Sequence, residues 1–398
     1  MVRELVIHSY LLIFKMLFTL FKIFPLKNKT TFVVSFGDNS QYLYEEMKKL
    51  NIQKEVVVLQ KKNSRVNFRE FTGCKVLDFE SLNVFHFILS VYHLATSKTI
   101  LVDNYFGFLA VTNFKEDVEV IQLWHAAGAV KKFGLLDHSV EKRTEAAKKR
   151  FLNVYAKFHK VVVGSEEMAK IFTRAFNLSS HSILRTGVPR TDFFYDTVKH
   201  VEIKKRFYEQ NPHFRNKKVI LYAPTYRDDE IKNVKLELDV KKLYEQLKGE
   251  YVLLIKLHPA IMTNMAYLEK SYESFIYDYS HYPNINELLL ITDILITDYS
   301  SIPMEYSILK KPILFYIYDY ESYKQERGLF DIEFPGPLVH DTDEIIESIK
   351  HERFDYERLE SFAKKWNMYS NGKSSENLLR YIYKDDFVEV KERKESVL

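Results

Sequence analysis

The stretch DILITDYSSIPMEY, residues 293–306, decides the predicted fold of this chain. Its first part, 293–297, is a short run rich in β-branched residues, which is typical of a buried parallel strand. A polar turn follows, and an apolar helical pattern at 300–309 comes directly after it. A buried strand that leads into a helix through a polar turn is the repeating step of a parallel α/β sheet, and ligands bind at the carboxyl ends of such strands.

The same step recurs on both sides of this stretch. Strands are predicted at 31–36, 55–60, 99–103, 118–124 and 160–164, and again at 218–223, 251–257, 293–297 and 312–317. Helices are predicted between them at 40–50, 81–97 and 165–176, and again at 239–248, 284–291 and 300–309. Two such series predict an α/β protein with two Rossmann-like, doubly wound domains that face a cleft. We place the N-terminal domain at 28–195 and the C-terminal domain, with its C-terminal helices, at 196–398.

The composition excludes several classes of protein. Of 398 residues 46% are hydrophobic, while Gly 11 and Pro 10 are few, which excludes general disorder and low-complexity architectures. Cys74 is the only cysteine, so no intrachain disulfide can form, as suits a reducing, cytosolic environment. The 58 Lys and Arg residues exceed the 54 Asp and Glu residues by only +4, so we expect no nucleic-acid partner.

The first 27 residues form an apolar segment that needs its own interpretation. His8, Lys15 and Lys22 recur every seven residues, which puts them on one stripe of a helix and leaves the rest of its surface apolar. These residues interrupt the run before it reaches the ~20 apolar residues that span a bilayer. We therefore predict an amphipathic helix, within 1–27, that lies on a membrane surface. A helix docked on the protein's own core remains the alternative.

One predicted strand end carries a candidate general base. Strand 118–124 runs into Trp-His-Ala-Ala-Gly-Ala at 124–129, so that His125 is followed by small residues past which a backbone can approach closely. An imidazole titrates near neutral pH and can take a proton from a hydroxyl. A structural histidine remains the alternative.

Two strand ends in the second half suit phosphate. Strand 218–223 is followed by Pro-Thr-Tyr-Arg at 224–227, which combines a hydroxyl, backbone N–H groups and a guanidinium. Strand 251–257 contains Lys256 and is followed by His258, two residues on, so both side chains point to one side. A proline turn with a surface arginine would explain the first pattern without a ligand.

The loop after strand 293–297 suits a nucleotide. Ser300 or Ser301 would cap the following helix, whose free N–H groups attract an anion without a metal. Glu305, one turn further, could accept hydrogen bonds from ribose hydroxyls. A plain helix cap would also explain the serines. The sequence has no G-x-x-x-x-G-K-[ST], G-x-S-x-G or H-E-x-x-H pattern and no strand followed by G-x-G-x-x-G, which disfavours P-loop, hydrolase, zinc-protease and NAD-binding functions.

Together these motifs resemble a known family. WHAAGAVKKFG (124–134), TGVPRTD (186–192), YAPTYRDD (222–229), KLHP (256–259) and ITDYSSIPMEY (296–306) occur in the order seen in the CDP-glycerol glycerophosphotransferases of wall teichoic acid synthesis. The resemblance covers roughly residues 100–385. It implies a GT-B-like fold in which the acceptor lies against the N-terminal domain and CDP-glycerol mainly against the C-terminal one.

Motif and loop residues together define the predicted site. The catalytic candidates are His125 and His258. The predicted CDP-glycerol contacts are His125, Ala126, Ala127, Gly128, Ala129, Arg190, Pro224, Thr225, Arg227, Lys256, Leu257, His258, Ser300, Ser301 and Glu305. Cations and N–H dipoles would neutralise the pyrophosphate, so we expect no cofactor and no obligatory metal.

The resemblance also implies a particular reaction. Where polymerases of the family usually have His-Gly-Thr-Pro, this chain has His-Ala-Ala-Gly at 125–128, which together with its apolar start resembles the primase branch. Such an enzyme would transfer the first glycerol phosphate to an undecaprenyl-diphosphate-linked N-acetylmannosaminyl-N-acetylglucosamine, with release of CMP, as a peripheral protein on the cytoplasmic face of the cell membrane. The alternatives are a polymerase or second-unit transferase of the same family, a GT-B nucleotide-sugar glycosyltransferase, and a non-catalytic nucleotide-binding scaffold on a membrane surface.

Overall fold

The computed structural model describes residues 2–227, 236–257, 270–384 and 386–387. Its helices are α1 (Val2–Phe21), α2 (Asp38–Lys49), α3 (Val84–Thr96), α4 (Glu145–Tyr155), α5 (Glu166–Phe176), α6 (Thr197–Gln210), α7 (Val240–Leu247), α8 (Ile285–Ile291), α9 (Ile302–Tyr306), α10 (Tyr320–Arg327), α11 (Thr342–Lys350), α12 (Tyr356–Trp366) and α13 (Ser374–Ile382). They alternate with parallel strands, which confirms the predicted α/β class.

The first sheet has seven parallel strands in the order β3-β2-β1-β4-β5-β6-β7. They are β1 (Lys27–Val34), β2 (Glu55–Gln60), β3 (Lys75–Asp78), β4 (Ser97–Val102), β5 (Glu119–Gln122), β6 (Lys160–Val162) and β7 (Ile183–Leu184). Phe32 of β1 is opposite both Val58 of β2 and Leu101 of β4. All three side chains are buried, because helices cover both faces of a parallel sheet.

The second sheet has six parallel strands in the order β10-β9-β8-β11-β12-β13. They are β8 (Lys218–Tyr222), β9 (Tyr251–Ile255), β10 (Ile276–Asp278), β11 (Ile294–Thr297), β12 (Ile313–Tyr316) and β13 (Leu338–Val339). The central position of β8 and β11 puts the loops that follow them side by side at the carboxyl edge. This is the edge at which the sequence predicts a ligand.

The described residues divide into two compact units, each built on one sheet. Unit 1 contains the residues up to 126, residues 133–192 and those from 368 onward, and unit 2 contains residues 127–132 and 193–367. This division differs from the predicted N- and C-terminal domains in three places, the first being a boundary at 192/193 rather than 195/196. Residues 127–132 join unit 2, where Lys131 forms an antiparallel bridge with Leu329.

The C-terminal helix α13 joins unit 1, although the sequence assigned it to the C-terminal domain. The carboxylate of Asp192 accepts hydrogen bonds from the backbone N–H groups of Ser374 and Ser375, both at 2.8 Å, at the start of α13. Leu378 and Leu379 of α13 are fully buried in the core beside α2. Helix capping and apolar burial therefore fix α13 to the first sheet.

Helix α1 docks on unit 1 along one narrow stripe. Phe14 is fully buried, with its ring centroid 5.1 Å from that of Phe108 and 6.0 Å from that of Phe87 on α3. Phe18 is 2% exposed and packs edge-on against Phe114 at 5.2 Å. The alternative of a docked N-terminal helix is therefore correct for this stripe.

The outer face of α1 remains apolar and exposed, and α3 extends it. We call the following residues the apolar surface: Leu5, Val6, Leu12, Ile13, Met16, Leu20, Ile23, Phe24, Leu82, Val84, Phe85, Ile88 and Leu89. Among the described helices, α1 alone is long and apolar enough to cross a membrane by length and composition, over Glu4–Phe21. Its composition therefore does not exclude a span, contrary to the expectation from the sequence. The buried stripe of α1 that contains Phe14 and Phe18, however, packs against unit 1.

Candidate active site

His125 lies just beyond β5, in unit 1, between two aromatic rings. Its imidazole stacks on Phe36 with a centroid separation of 4.1 Å and on Trp124 with a separation of 4.3 Å. Its Nδ1 is 3.3 Å from the backbone oxygen of Asp103. Because a carbonyl oxygen only accepts hydrogen bonds, Nδ1 carries the proton in the neutral ring and Nε2 keeps a free lone pair.

The surroundings of His125 keep its imidazole neutral. Burial lowers the pKa of His125 to about 4, and the positive charges of Arg65 and Arg190 act in the same direction, against the hydrogen bond to Asp103. A neutral imidazole at physiological pH is ready to accept a proton. An anionic substrate bound nearby would raise this pKa and strengthen the base.

The backbone that presents His125 is held under strain. Trp124 has a φ of 59°, a left-handed conformation that is rare for a bulky residue and costs about 1–3 kcal/mol. The side chain of Gln122 accepts a hydrogen bond from the Trp124 N–H at 2.9 Å. The Asn39 amide donates to the carbonyl oxygens of Leu123 and Trp124 at 3.1 and 2.8 Å. These bonds from two other positions maintain the turn.

Asp103 fixes the loop that carries Phe36. Its carboxylate, 1% exposed, accepts hydrogen bonds from the backbone N–H groups of Ser35, Phe36 and Gly37 at 2.8–3.1 Å. Burial raises the pKa of Asp103 to about 6, although these N–H groups favour its ionised form. The same residue thus positions the ring on one face of His125 with its carboxylate and orients the imidazole with its backbone carbonyl.

Arg190 connects the predicted TGVPRTD motif to this histidine. It is 4% exposed, and its Nη1 donates to the backbone oxygen of His125 at 3.1 Å. Its backbone N–H donates to Asn39 at 3.0 Å. Asp38 faces two guanidinium groups, since its Oδ2 is 3.7 Å from both Arg190 and Arg65. The structure therefore brings two of the predicted residues, His125 and Arg190, into direct contact.

The small residues after His125 are packed rather than open. Ala127 is 1% exposed, and a side chain added at Gly128 would meet Met304 at 2.9 Å and Trp366 at 3.0 Å. Ala126 and Ala129 are also buried. Close packing thus accounts for the absence of larger side chains at these positions, and their predicted contact with CDP-glycerol remains a prediction.

Arg227 in unit 2 is engaged by carboxylates. Its guanidinium bonds Asp298 at 2.8 Å and Asp319 at 2.9 and 3.1 Å, and only 8% of its side chain is exposed. Burial opposes its charge, but the hydrogen bonds that Arg227 donates to the two carboxylates raise its pKa above the ordinary value. A bound phosphate would compete with these carboxylates for the guanidinium. The geometry therefore indicates that Arg227 ties together the loops that carry Asp298 and Asp319.

The same tie orders the loop at Pro224 and Thr225. The backbone N–H of Thr225 donates to Asp298 at 2.8 Å, and the same carboxylate oxygen accepts the N–H of Tyr299 at 2.7 Å. Pro224 and Thr225 are partly exposed. The Thr225 hydroxyl has no hydrogen-bond partner among the described residues, which suits a ligand contact.

Lys256 and Leu257 tie the end of β9 to the loop after β10. Lys256 donates from its Nζ to the carbonyl oxygens of Ser280 and Tyr282 at 2.6 and 2.7 Å. The N–H of Leu257, which is buried, donates to the Ser280 hydroxyl at 3.1 Å. His258, the second catalytic candidate, lies outside the described residues.

Ser300, Ser301 and Glu305 lie at the start of α9. The Ser300 hydroxyl contacts that of Thr297 at 3.0 Å and accepts the N–H of Ile302 at 3.3 Å, whereas Ser301 forms no side-chain cap. Both serines are partly exposed, and Glu305 is 3% exposed. Helix α9 has only 5 residues before a 3-10 turn, so its dipole contributes less to anion binding than the predicted helix 300–309 would.

Several functional candidates were not predicted from the sequence. Phe36 follows β1, Asp38 begins α2 and Asp103 follows β4, and all three support His125. Asp298 and Asp319 hold Arg227. Asp103 ends the predicted strand 99–103 and Asp298 directly follows the predicted strand 293–297, so their position at a strand end was a usable signal. Nothing in the sequence near Phe36 indicated a stacking partner for His125.

These features define the class of protein as a GT-B-like enzyme fold with two parallel α/β units. The wall teichoic acid polymerase TagF has the same fold, with a TM-score of 0.78 over 98% of this chain and 99% of that chain at 23% identity. The family model for CDP-Glycerol:Poly(glycerophosphate) glycerophosphotransferase matches residues 16–384, so this chain belongs to that family of enzymes.

Curated relatives agree with the family. A teichoic acid glycerol-phosphate primase from Bacillus subtilis (strain 168) is 40% identical over 360 residues, which cover 89% of this chain and 92% of the relative. A teichoic acid poly(ribitol-phosphate) polymerase from Bacillus spizizenii is 34% identical over 381 residues, which cover 93% of this chain and 58% of the relative.

Proposed function

We propose that this chain transfers the first glycerol phosphate from CDP-glycerol to an undecaprenyl-diphosphate-linked N-acetylmannosaminyl-N-acetylglucosamine, with release of CMP. The observation that carries the proposal is His125, a neutral imidazole with its Nε2 unprotonated and its ring held between Phe36 and Trp124. The similarity to the Bacillus subtilis primase over most of both chains supports the choice of donor and of acceptor.

The proposed reaction is a displacement at phosphorus. The acceptor sugar hydroxyl attacks the glycerol-bearing phosphorus of CDP-glycerol, and its proton passes to Nε2 of His125. A new O–P bond forms while the bond between that phosphorus and the CMP oxygen breaks, and CMP leaves with the electron pair. A positioned base of this kind contributes about 10²–10⁴-fold to the rate.

The loops of unit 2 are proposed to hold the donor. The partly exposed Thr225 and Ser300 would contact the pyrophosphate, and Glu305 would accept hydrogen bonds from the ribose hydroxyls. Arg227 would act by keeping the Thr225 loop and the Ser300 loop in register, because it is bonded to both Thr225 and Asp298. His258 stays a prediction for charge stabilisation on the leaving group.

The apolar surface is proposed to rest on the cytoplasmic face of the cell membrane. Met16 and Leu20 of α1 are 65% and 55% exposed, and Phe85 of α3 is 80% exposed. Monomeric soluble proteins rarely expose so many adjacent large apolar side chains, and a lipid interface would cover them. A peripheral position there gives access to an acceptor on a lipid carrier.

The polymerase reading remains the second candidate, since a poly(ribitol-phosphate) polymerase is also 34% identical. Membership of the family disfavours a nucleotide-sugar glycosyltransferase and a non-catalytic scaffold.

The experiment that tests the proposed function is a CMP-release assay with CDP-glycerol and the lipid-linked disaccharide, with and without EDTA. We expect acceptor-dependent CMP release that persists in EDTA. If no CMP appears with the acceptor, the proposed function is wrong. If EDTA abolishes CMP release, only the metal-free mechanism is wrong.

A further inference from the structure

The loop after β2 is bonded to the loop that carries Phe36. The backbone N–H of Arg65 donates to the Phe36 carbonyl oxygen at 3.0 Å, and the Ser64 hydroxyl donates to the same oxygen at 3.1 Å. The N–H of Lys61 donates to Val34 at 2.9 Å. Both loops follow adjacent strands at the carboxyl edge of the first sheet, so the β2 loop is a fixed part of the surroundings of His125.

Arg65 places a cation beside the ring that supports His125. Its guanidinium carbon lies 5.3 Å from the centroid of Phe36, the ring that stacks on His125 at 4.1 Å. The Arg65 side chain is 49% exposed, unlike that of Arg190, which is 5% exposed. Stacking on an aromatic face orients the planar guanidinium while its N–H groups remain available to solvent or ligand.

The ion pair of Arg65 is loose. Its guanidinium lies 3.7 Å from Oδ2 of Asp38, beyond hydrogen-bond distance, and the same oxygen is also 3.7 Å from Arg190. Lys61, in the same loop, is neutralised by Glu80 at 2.6 Å. A half-exposed guanidinium with a loose carboxylate partner, next to a candidate base, is suited to bind an anionic group of a substrate.

We propose that Arg65 binds a phosphate of the diphosphate that links the acceptor sugars to their lipid. The inference rests on the proposed function and adds a specific contact for the acceptor. Arg65 belongs to unit 1 together with His125, which must touch the acceptor hydroxyl, whereas most proposed donor contacts follow strands of unit 2.

The test compares acceptors with and without phosphate. Initial rates would be measured for the full chain and for Arg65→Gln, with the lipid-diphosphate disaccharide and with an alkyl glycoside of the same disaccharide. We expect Arg65→Gln to raise KM for the diphosphate acceptor about tenfold or more, as for a lost hydrogen bond between charged groups. KM for the alkyl glycoside and for CDP-glycerol should change less than twofold. Arg65→Lys, which keeps the positive charge, should raise KM for the diphosphate acceptor less than Arg65→Gln does.

A nearby arginine provides the matched control. Arg69 is 45% exposed and pairs with Asp78, so Arg69→Gln should leave both acceptor KM values unchanged. Equal losses on both acceptors would mean that Arg65 only supports the loop, and a loss confined to CDP-glycerol would assign it to the donor diphosphate. Either result overturns the proposal.

A binding measurement separates this inference from the proposed function. Calorimetric titration with geranyl diphosphate, and with geraniol as the phosphate-free counterpart, requires no turnover. We expect wild-type protein to bind geranyl diphosphate more tightly than Arg65→Gln by about tenfold, and geraniol equally. If wild type and variant bind geranyl diphosphate alike, the Arg65 assignment is wrong whatever the CMP-release assay shows.

Discussion

At the scale of the residue, His125 combines a neutral ring with a fixed orientation. Phe36 and Trp124 remove water from its faces, and Asp103 accepts from its Nδ1. Desolvation disfavours the charged form, so the imidazole remains unprotonated at neutral pH. The imidazole can therefore accept a proton at Nε2, with a backbone carbonyl rather than a carboxylate bonded to Nδ1.

We expect His125→Ala to lower turnover by about 10²–10⁴-fold while CDP-glycerol affinity is largely kept, because a base acts on the acceptor hydroxyl. Steady-state kinetics and calorimetric binding of CDP-glycerol check the two parts. His181→Ala, at an exposed position, is the control and should retain full activity. Near-wild-type turnover of folded His125→Ala would remove this histidine from the mechanism.

The lowered pKa of His125 also predicts a pH dependence of stability. Its pKa is about 4 in the folded chain and about 6.5 when unfolded, so the unfolded state binds more protons between these values. The free energy of unfolding contributed by His125 is therefore complete above pH 6.5 and should fall by up to about 2 kcal/mol by pH 5.

Urea denaturation of wild type and His125→Gln at pH 7 and pH 5 isolates this contribution. The variant should lose less stability on acidification. Asp103 works in the opposite direction, since its raised pKa of about 6 makes its contribution fall as pH rises, but it is present in both proteins. Parallel losses in the two proteins would contradict the assignment.

At the scale of the element, the ends of three strands in unit 2 are tied together by one buried cation. Arg227 follows β8, Asp298 follows β11 and Asp319 follows β12. The rings of Tyr299 and Tyr323 pack against the guanidinium, whose carbon is 5.4 and 4.6 Å from their centroids. The geometry gives Arg227 a positioning role in the loops that are proposed to hold the donor.

Replacing Asp319 with Asn should loosen this tie. Arg227 would keep Asp298 but lose its charged bonds to Asp319, which costs about 1–3 kcal/mol of stability. We expect KM for CDP-glycerol to rise and the melting temperature to fall together. Arg353→Lys, at a position 59% exposed in the same unit, is the control. A rise in KM without any change in melting temperature would indicate direct contact with the donor instead.

The two faces of α1 predict opposite phenotypes. Phe14→Ala removes a fully buried ring and should cost about 3–5 kcal/mol of unfolding free energy. Met16→Ser with Leu20→Ser changes only exposed positions and should reduce co-sedimentation with anionic vesicles at unchanged stability.

Val198→Ser with Val201→Ser is the matched control for the vesicle experiment, because both valines are exposed on α6, by 71% and 68%, outside the apolar surface. These substitutions should leave vesicle binding unaltered. If the α1 double variant still binds vesicles like wild type, the apolar surface does not contact lipid.

At the scale of the whole molecule, the chain assigns its motifs to two units. Those around His125 and Arg190 belong to unit 1, and those around Thr225, Lys256 and Ser300 belong to unit 2. The chain crosses from unit 1 to unit 2 between Ala126 and Ala127, directly after His125. In the proposed function, acceptor chemistry and donor binding are thus supported by different sheets.

We expect one glycerol phosphate per acceptor even with excess CDP-glycerol. A site whose polar groups pair with sugar hydroxyls leaves them unsatisfied when a glycerol phosphate end enters, which disfavours a second transfer. Mass spectrometry of the lipid product measures the number of units. A ladder of many units would assign the chain to polymerisation.

The sequence by itself determined the centre of each sheet and the position of its loops. All nine predicted strands are present, because central parallel strands are continuous apolar runs that are visible without their partners. The strands that the sequence did not predict are β3, β7, β10 and β13, which have two to four residues and form the four sheet edges. Such short strands depend on pairing with a neighbour, which no local pattern records.

Only the tertiary structure decided which side chains meet. Arg227 reaches Asp319 across 92 positions, a pairing that the sequence did not predict, and its phosphate contact stays a prediction. Arg65 and His125 come together because both follow strands of one sheet, with Phe36 from a third strand between them. Contacts between loops are set by strand order and by burial of the whole core. Local spacing reveals the strand ends, but not which of their side chains neutralise one another and which remain available to a ligand.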